Sequence, residues 1–156
     1  MPEIKKKVMK KIILVSLLSV FAVSCTSEDD GVNSANSIVG IWKPVSWKAY
    51  SGTNNALIAT ENVDSCFGNS IFDFKSNNTI TTTYFELNAN NVCENVGSET
   101  MAYTYDPTLK TLTVDGETIS VKTLSNNTLE VLDLDLTGED VNNDGVADQV
   151  YLVFNK

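Results

Sequence analysis

Residues 38–156 predict an all-β domain, an eight-stranded antiparallel up-and-down barrel, and three observations carry that expectation. Helix formers are sparse beyond the first 25 residues, where Asn, Thr, Ser, Val and aromatic residues dominate. Apolar and polar residues alternate there, as in Phe72-Asp73-Phe74-Lys75 and Ile119-Ser120-Val121-Lys122. Turn-forming clusters break the chain at short intervals, notably Ser76-Asn77-Asn78, Asp115-Gly116 and Ser125-Asn126-Asn127.

In chain order, strands are expected near 39–50, 69–75, 79–87, 99–105, 109–114, 117–124, 127–136 and 148–155. Asp106-Pro107 ends the fourth, because proline cannot donate to a ladder. In the seventh, Leu129 and Val131 share one phase while Leu132, Leu134 and Leu136 share the other. A period-2 strand cannot bury both sets on one side, so a β-bulge is expected near Val131. Eight short strands in meander order suit a barrel that closes on itself and so has no edges.

Ahead of the domain lies a leader. Lys5, Lys6, Lys7, Lys10 and Lys11 form a basic region, Ile12 to Val23 an apolar run, and Ala22-Val23-Ser24 a small-residue end. Spanning a bilayer takes about 20 apolar residues, more than this run offers. Residues 1–24 are therefore expected to be a secretory signal. Cys25 follows at the place of the cysteine in a bacterial lipobox, which it resembles although Ala22 stands where leucine is usual. The resemblance implies a diacylglycerol on the Cys25 thiol and anchorage by acyl chains, of which two or three hold a protein on a membrane stably. Residues 25–37 read as a flexible acidic tether. Thr26-Ser27-Glu28-Asp29-Asp30 resembles the acidic signal of surface-exported lipoproteins in Bacteroidetes-type bacteria. An outer-membrane lipoprotein facing outward is expected, with a periplasm-facing one as the alternative.

Charge excludes several functions. The chain carries net −9, and removing the leader takes away five lysines and one glutamate, leaving the rest more acidic still. No arginine or histidine occurs. A nucleic-acid partner would need a basic face, and none can be assembled. Without histidine there is no Ser-His or Cys-His pair, and without arginine no phosphate fork. A carboxylate pair such as Asp133 and Asp135 on an open strand face lacks the burial that tunes an acid. The protein is not expected to be an enzyme, and no catalytic cofactor is expected.

Gly40-Ile41-Trp42 opens the first strand, and Gly-x-Trp at that position resembles the lipocalins. The stretches "IVGIWKPVSW", "DSCFGNSIFDFKSNNTITT" and "YDPTLKTLTVDGETISVKTLSNNTLEV" are similar to small lipocalin-like lipoproteins of Bacteroidetes-type bacteria. The resemblance implies that Trp42 plugs the closed end of the barrel and that Gly40 lets the backbone pass close by. Lipocalins carry an arginine over this tryptophan; this chain has none.

Two further features stand out. Cys66 and Cys93 are the cysteines left once Cys25 is lipidated, and outside the cytoplasm two thiols pair into a structural disulfide. "EDVNNDGVADQVY" places Asp140, Asn142, Asp144, the Val146 carbonyl and Asp148 at the spacing of a Ca²⁺ loop, with Gly145 at its turn. Tyr151 replaces the bidentate glutamate, so a structural Ca²⁺ would bind weakly. A plain Asn143-Asp144-Gly145 turn without metal is the other reading.

The expected function is to bind a small apolar or amphipathic molecule in the barrel, with Tyr84, Phe85, Met101, Tyr103 and Tyr105 as candidate lining. The alternative is a filled barrel that contacts a protein or glycan through its loops, with Ca²⁺ ordering the last hairpin.

Overall fold

The computed structural model describes residues 37–156. The leader at 1–24, Cys25 and the tether up to residue 36 lie outside the described residues. The described residues form nine strands: β1 (Gly40–Tyr50), β2 (Leu57–Asn62), β3 (Ile71–Phe74), β4 (Thr79–Leu87), β5 (Cys93–Asp106), β6 (Thr111–Val114), β7 (Glu117–Leu124), β8 (Thr128–Leu132) and β9 (Gln149–Asn155). One 3₁₀ turn, Phe67–Asn69, precedes β3.

All pairings are antiparallel, and β1 closes the sheet by pairing with β9. From β3 to β9 the strands follow in simple meander order. The expected ring of eight is present, formed by β1 and β3 to β9. The ninth strand, β2, lies beside β1 rather than in the ring. Gly40–Trp42 of β1 pair with β3, whereas Ser46–Tyr50 pair with β2. Sequence reading missed β2 because Leu57–Asn62 is exposed along most of its length and its alternation is weak.

Turn chemistry sets the hairpins. Asp115 and Gly116 both take positive φ, 49° and 85°, the geometry of a two-residue turn matched to strand twist. Asn78 takes φ 61° in the β3–β4 turn, where Lys75 N–H bonds the Thr79 carbonyl at 2.8 Å. Pro44 sits within β1 without an N–H to give, and the β1–β9 register slips between Pro44 and Ser46.

The phase conflict around Val131 is resolved in another way than a bulged β8. The register does shift at Val131, but the extra residue is Lys122 on β7, since Val121 pairs Val131 and Thr123 pairs Glu130. β8 then ends at Leu132, and Leu134 and Leu136 fall in the turns beyond it. The barrel is also not free of edges. β5 begins at Cys93, six residues earlier than its apolar pattern suggests, yet pairs with β6 only over Tyr103–Asp106. Its first seven residues, Cys93–Glu99, are exposed and form an arm with the end of β4.

Cys66 and Cys93 are joined, with Cα atoms 5.4 Å apart, which ties this arm to the 3₁₀ turn. The core gathers Ile38, Trp42, Phe74, Ile80, Tyr103, Leu112, Val121, Leu129, Val131 and Phe154. Trp42 is completely buried and its indole N–H donates to the Ile38 carbonyl at 2.7 Å. Lys156 places its ammonium 4.7 Å from the Trp42 ring centre, so a lysine supplies the cation that this arginine-free chain lacks. Gly40 makes room for it: a Cβ there would meet Lys156 Cε at 2.8 Å, and its φ of 137° suits glycine.

Candidate functional site

The interior is built from cross-strand rungs, because residues paired directly across an antiparallel ladder share a face. On β4 the inward positions are Ile80, Thr82 and Tyr84. Ile80 stands between Phe74 and Met101, Thr82 between Phe72 and Glu99, and Tyr84 opposite Gly97. Of these, Phe72, Phe74, Ile80, Thr82, Tyr84 and Met101 line one wall of a cavity of about 120 Å³. The opposite wall comes from β6 to β9 through Leu112, Val114, Ile119, Leu129, Val131 and Phe154. Its lining is almost wholly apolar.

Depth divides the lining in two. Phe74, Ile80, Leu112, Leu129, Val131 and Phe154 are buried and make the floor. Phe72, Tyr84, Met101, Val114 and Ile119 are half-buried and make the rim. Gly97 leaves the inner face of β5 bare, since a Cβ there would meet nothing within 4 Å. Aromatic edges stiffen this wall: Phe72 meets Tyr84 at 5.7 Å and Phe154 at 4.9 Å, both edge to face. Burial holds the Tyr84 phenol above its ordinary range, Glu99 adds to the rise, and the nearby Thr82 hydroxyl lowers it. Thr82 itself is buried, beside Tyr84 on the same wall.

Of the five residues expected to line a site, Tyr84 and Met101 do. Tyr103 is a core residue that meets Phe74 edge to face at 5.0 Å and donates its hydroxyl to the Lys75 carbonyl. Tyr105 packs against the core from the side. Burial pushes both phenols up. Phe85 follows the register shift on β5 and is absent from the lining; its N–H donates to Ser70 Oγ. Sequence reading missed Thr82 and the two phenylalanines of β3. The signal was there in the phase of Ile80, Thr82 and Tyr84, but a threonine-rich strand gives no hint of which hydroxyls turn inward.

The last hairpin folds around its own side chains. Asp140 accepts the N–H groups of Asp144 and Gly145 at 3.0 and 2.8 Å, and Asn142 accepts that of Asp144 at 3.0 Å. Asp144 accepts the Val146 N–H at 2.9 Å and the Thr53 hydroxyl at 3.0 Å. The Val146 bond, first of all, holds this exposed carboxyl below its usual range. Asp148 is buried and works as a clamp. One oxygen accepts the Gly52 N–H at 3.0 Å; the other accepts those of Val141 and Asn142 at 2.7 and 3.3 Å. Among the described residues, no three His, Cys, Asp or Glu side chains gather into a metal-holding group.

A polar cluster occupies the sheet face opposite Leu129 and Val131. Glu130, buried, takes Lys48 at 2.5 Å, with the Tyr50 and Thr123 hydroxyls each at 3.2 Å. Lys122 lies 3.9 Å from the centre of the Tyr50 ring. Every oxygen of Glu130 is engaged, so the cluster reads as structural.

Residues 38–131 match the model of a family described as lipocalin-like domain. Neither the curated proteins nor the solved structures gave a match.

Proposed function

The chain belongs to the lipocalin-like domain family, and from that premise we propose that it is a lipid-anchored binding protein whose barrel holds a small apolar or amphipathic molecule. The observation that carries this reading is the apolar cavity of about 120 Å³ with a buried floor and a half-buried rim. Deep, apolar and sparsely polar concavities are where proteins hold small ligands. It is a binder rather than a catalyst: the lining offers no pair of acid and base, and the chain has no histidine.

Anchorage through Cys25, export by the leader at 1–24 and display on the outer membrane of a Bacteroidetes-type bacterium belong to the same proposal. Their support is the sequence: the basic and apolar leader, the cysteine that ends it, and the acidic run behind. Calcium at the last hairpin belongs here too, supported by the alternating Asp140, Asn142 and Asp144, and ordering the loop rather than reacting.

Native mass spectrometry of gently purified protein tests the reading. An organic mass that survives gentle ionisation is expected, together with a calcium adduct that chelation removes. An empty protein would shift the balance to a filled barrel acting through its surface. The exposed β4–β5 arm, with Leu87, Val92 and Val96 all open to solvent, favours that second reading.

A further inference from the structure

The described lysines fall into two groups. Lys48 is bound to Glu130, and Lys122 gives its ammonium to Asn55 Oδ1 at 2.6 Å and to the Tyr50 ring. The other four, Lys43, Lys75, Lys110 and Lys156, gather at the end of the barrel plugged by Trp42. The alternating strand directions place the start of β1, the end of β9 and the β3–β4 and β5–β6 turns together there. Gly40 pairs with Phe74, Lys43 pairs with Asn155, and Lys156 Nζ reaches the Ser37 carbonyl at 3.3 Å. Lys43, Lys75 and Lys110 are exposed. Asp73 and Asp106 are the side-chain carboxylates near them, and Asp106 already accepts the N–H groups of Thr108 and Leu109.

Apolar side chains share this end. Leu109 is 71% exposed, Ile41 56% and Val39 38%. Ile41 and Lys43, two apart on β1, stand on one outward face. The opposite end is the inverse. Its connections hold no lysine, and the one between β8 and β9 alone carries six acids from Asp133 to Asp148.

Lysines interspersed with exposed leucine and isoleucine suit the interface of an anionic lipid layer, where ammonium groups meet headgroups and apolar tips enter the boundary. The net negative charge of the molecule does not prevent this, because the acids stand far off. The nine residues of β4 rise about 30 Å, so even a tilted barrel holds its acidic end more than two Debye lengths, each about 8 Å, from the surface. The course of the chain agrees. Ser37 lies at the lysine-bearing end, and residues 25–36 can span at most about 40 Å between Cys25 and it. Glu28-Asp29-Asp30 would match the lysines in charge, but residues 26–36 offer only Val32 and Ala35 to cover Leu109 and Ile41.

We propose that the barrel docks on an anionic lipid surface through this lysine-bearing end and so holds the cavity rim away from the bilayer. This rests on the anchorage through Cys25 proposed above and adds to it which end of the domain meets the lipid.

The mature lipidated protein, reconstituted on vesicles of phosphatidylcholine or of an equal mixture with phosphatidylglycerol, tests it. Lysine acetylation rates are read by mass spectrometry. Lys43, Lys75 and Lys110 are expected to react about fivefold more slowly on the anionic vesicles, the worth of one lysine near such a surface. Lys122 serves as the unchanged reference, and high salt should erase the difference. Lys75→Gln combined with Lys110→Gln should return Lys43 to within about twofold of its phosphatidylcholine rate, whereas Lys75→Arg with Lys110→Arg should keep it protected. Rates that match on the two vesicles overturn the docking, and slow rates on both would assign this end to residues 26–36. Flotation with phosphatidylcholine vesicles reads the anchor separately. A protein that floats only with the anionic vesicles docks without the anchor, and one that floats with neither loses both.

Discussion

Removing the carboxylate of Asp148 is the sharpest perturbation of this fold, because one buried side chain joins two loops. Its oxygens accept N–H bonds from Gly52 in the β1–β2 loop and from Val141 and Asn142 in the last hairpin. Its backbone N–H also donates to the Glu139 carbonyl at 2.8 Å. Gly52 sits so close to the hairpin that a Cβ would meet the Ala147 carbonyl oxygen at 2.0 Å. Hydrogen bonds to a charged acceptor contribute about 1.5–3 kcal/mol each, but they are not additive. Gly52, Val141 and Asn142 are themselves exposed, so water can re-solvate their N–H groups once the loops part. Asp148→Ala should therefore cost about 2–4 kcal/mol, well below the sum of three such bonds. Urea titration in EDTA, followed by tryptophan fluorescence, measures it; Trp47 reports on this region through its 3.1 Å bond to Asp133. A loss of less than about 0.5 kcal/mol in EDTA, below an ordinary hydrogen bond, would refute the clamp. A loss seen only with calcium present would make Asp148 a ligand instead.

Three further outcomes are expected. Replacing Cys66 and Cys93 together by alanine should cost about 3.5 kcal/mol on the chain-entropy model for a separation of 27 residues, read from the urea midpoint; a change under about 1 kcal/mol would mean the open chain is already compact. Stability should fall from about pH 10 upward. Burial raises the phenols of Tyr50, Tyr84, Tyr103, Tyr105 and Tyr151, and the bond to Glu130 raises Lys48. The unfolded chain thus loses protons first, and the stabilisation present below the unfolded pKa disappears as pH climbs through the folded values. Tyrosinate absorbance of the folded protein should lag that of the urea-unfolded chain, and coincident titrations would contradict this. Lys156→Met should cost about 1 kcal/mol through the lost ammonium over Trp42, whereas Lys156→Arg should keep it, as thermal melts can show.

Much of the fold was legible because alternation and turn chemistry are local. Ile119-Ser120-Val121-Lys122 and Asp115-Gly116 specify a strand and its turn without help from elsewhere. The arm of β5 was not legible, since Glu94-Asn95-Val96-Gly97-Ser98 is exposed on both faces and no core imposes a pattern on it. β2 escaped for the same reason. At the site, the barrel phase pointed to Tyr84 and Met101, but Phe85 is one position out of phase and Tyr103 is spent in the core.

The sequence by itself determined the all-β class, the order of the ring strands, the net acidity of the chain, and the pair of cysteines that closes. Each depends on composition or on neighbours a few residues apart. Tertiary structure decided the rest. Whether Lys122 or Val131 carries the bulge depends on which strand yields when two ladders meet. Whether Asp148 serves as a clamp depends on Gly52, 96 residues away in the chain. Thr82 differs from Thr81 and Thr83, whose hydroxyls meet Thr100 and Ser98, because its rung faces the apolar cavity, and which face a rung presents is decided by what lies across the barrel.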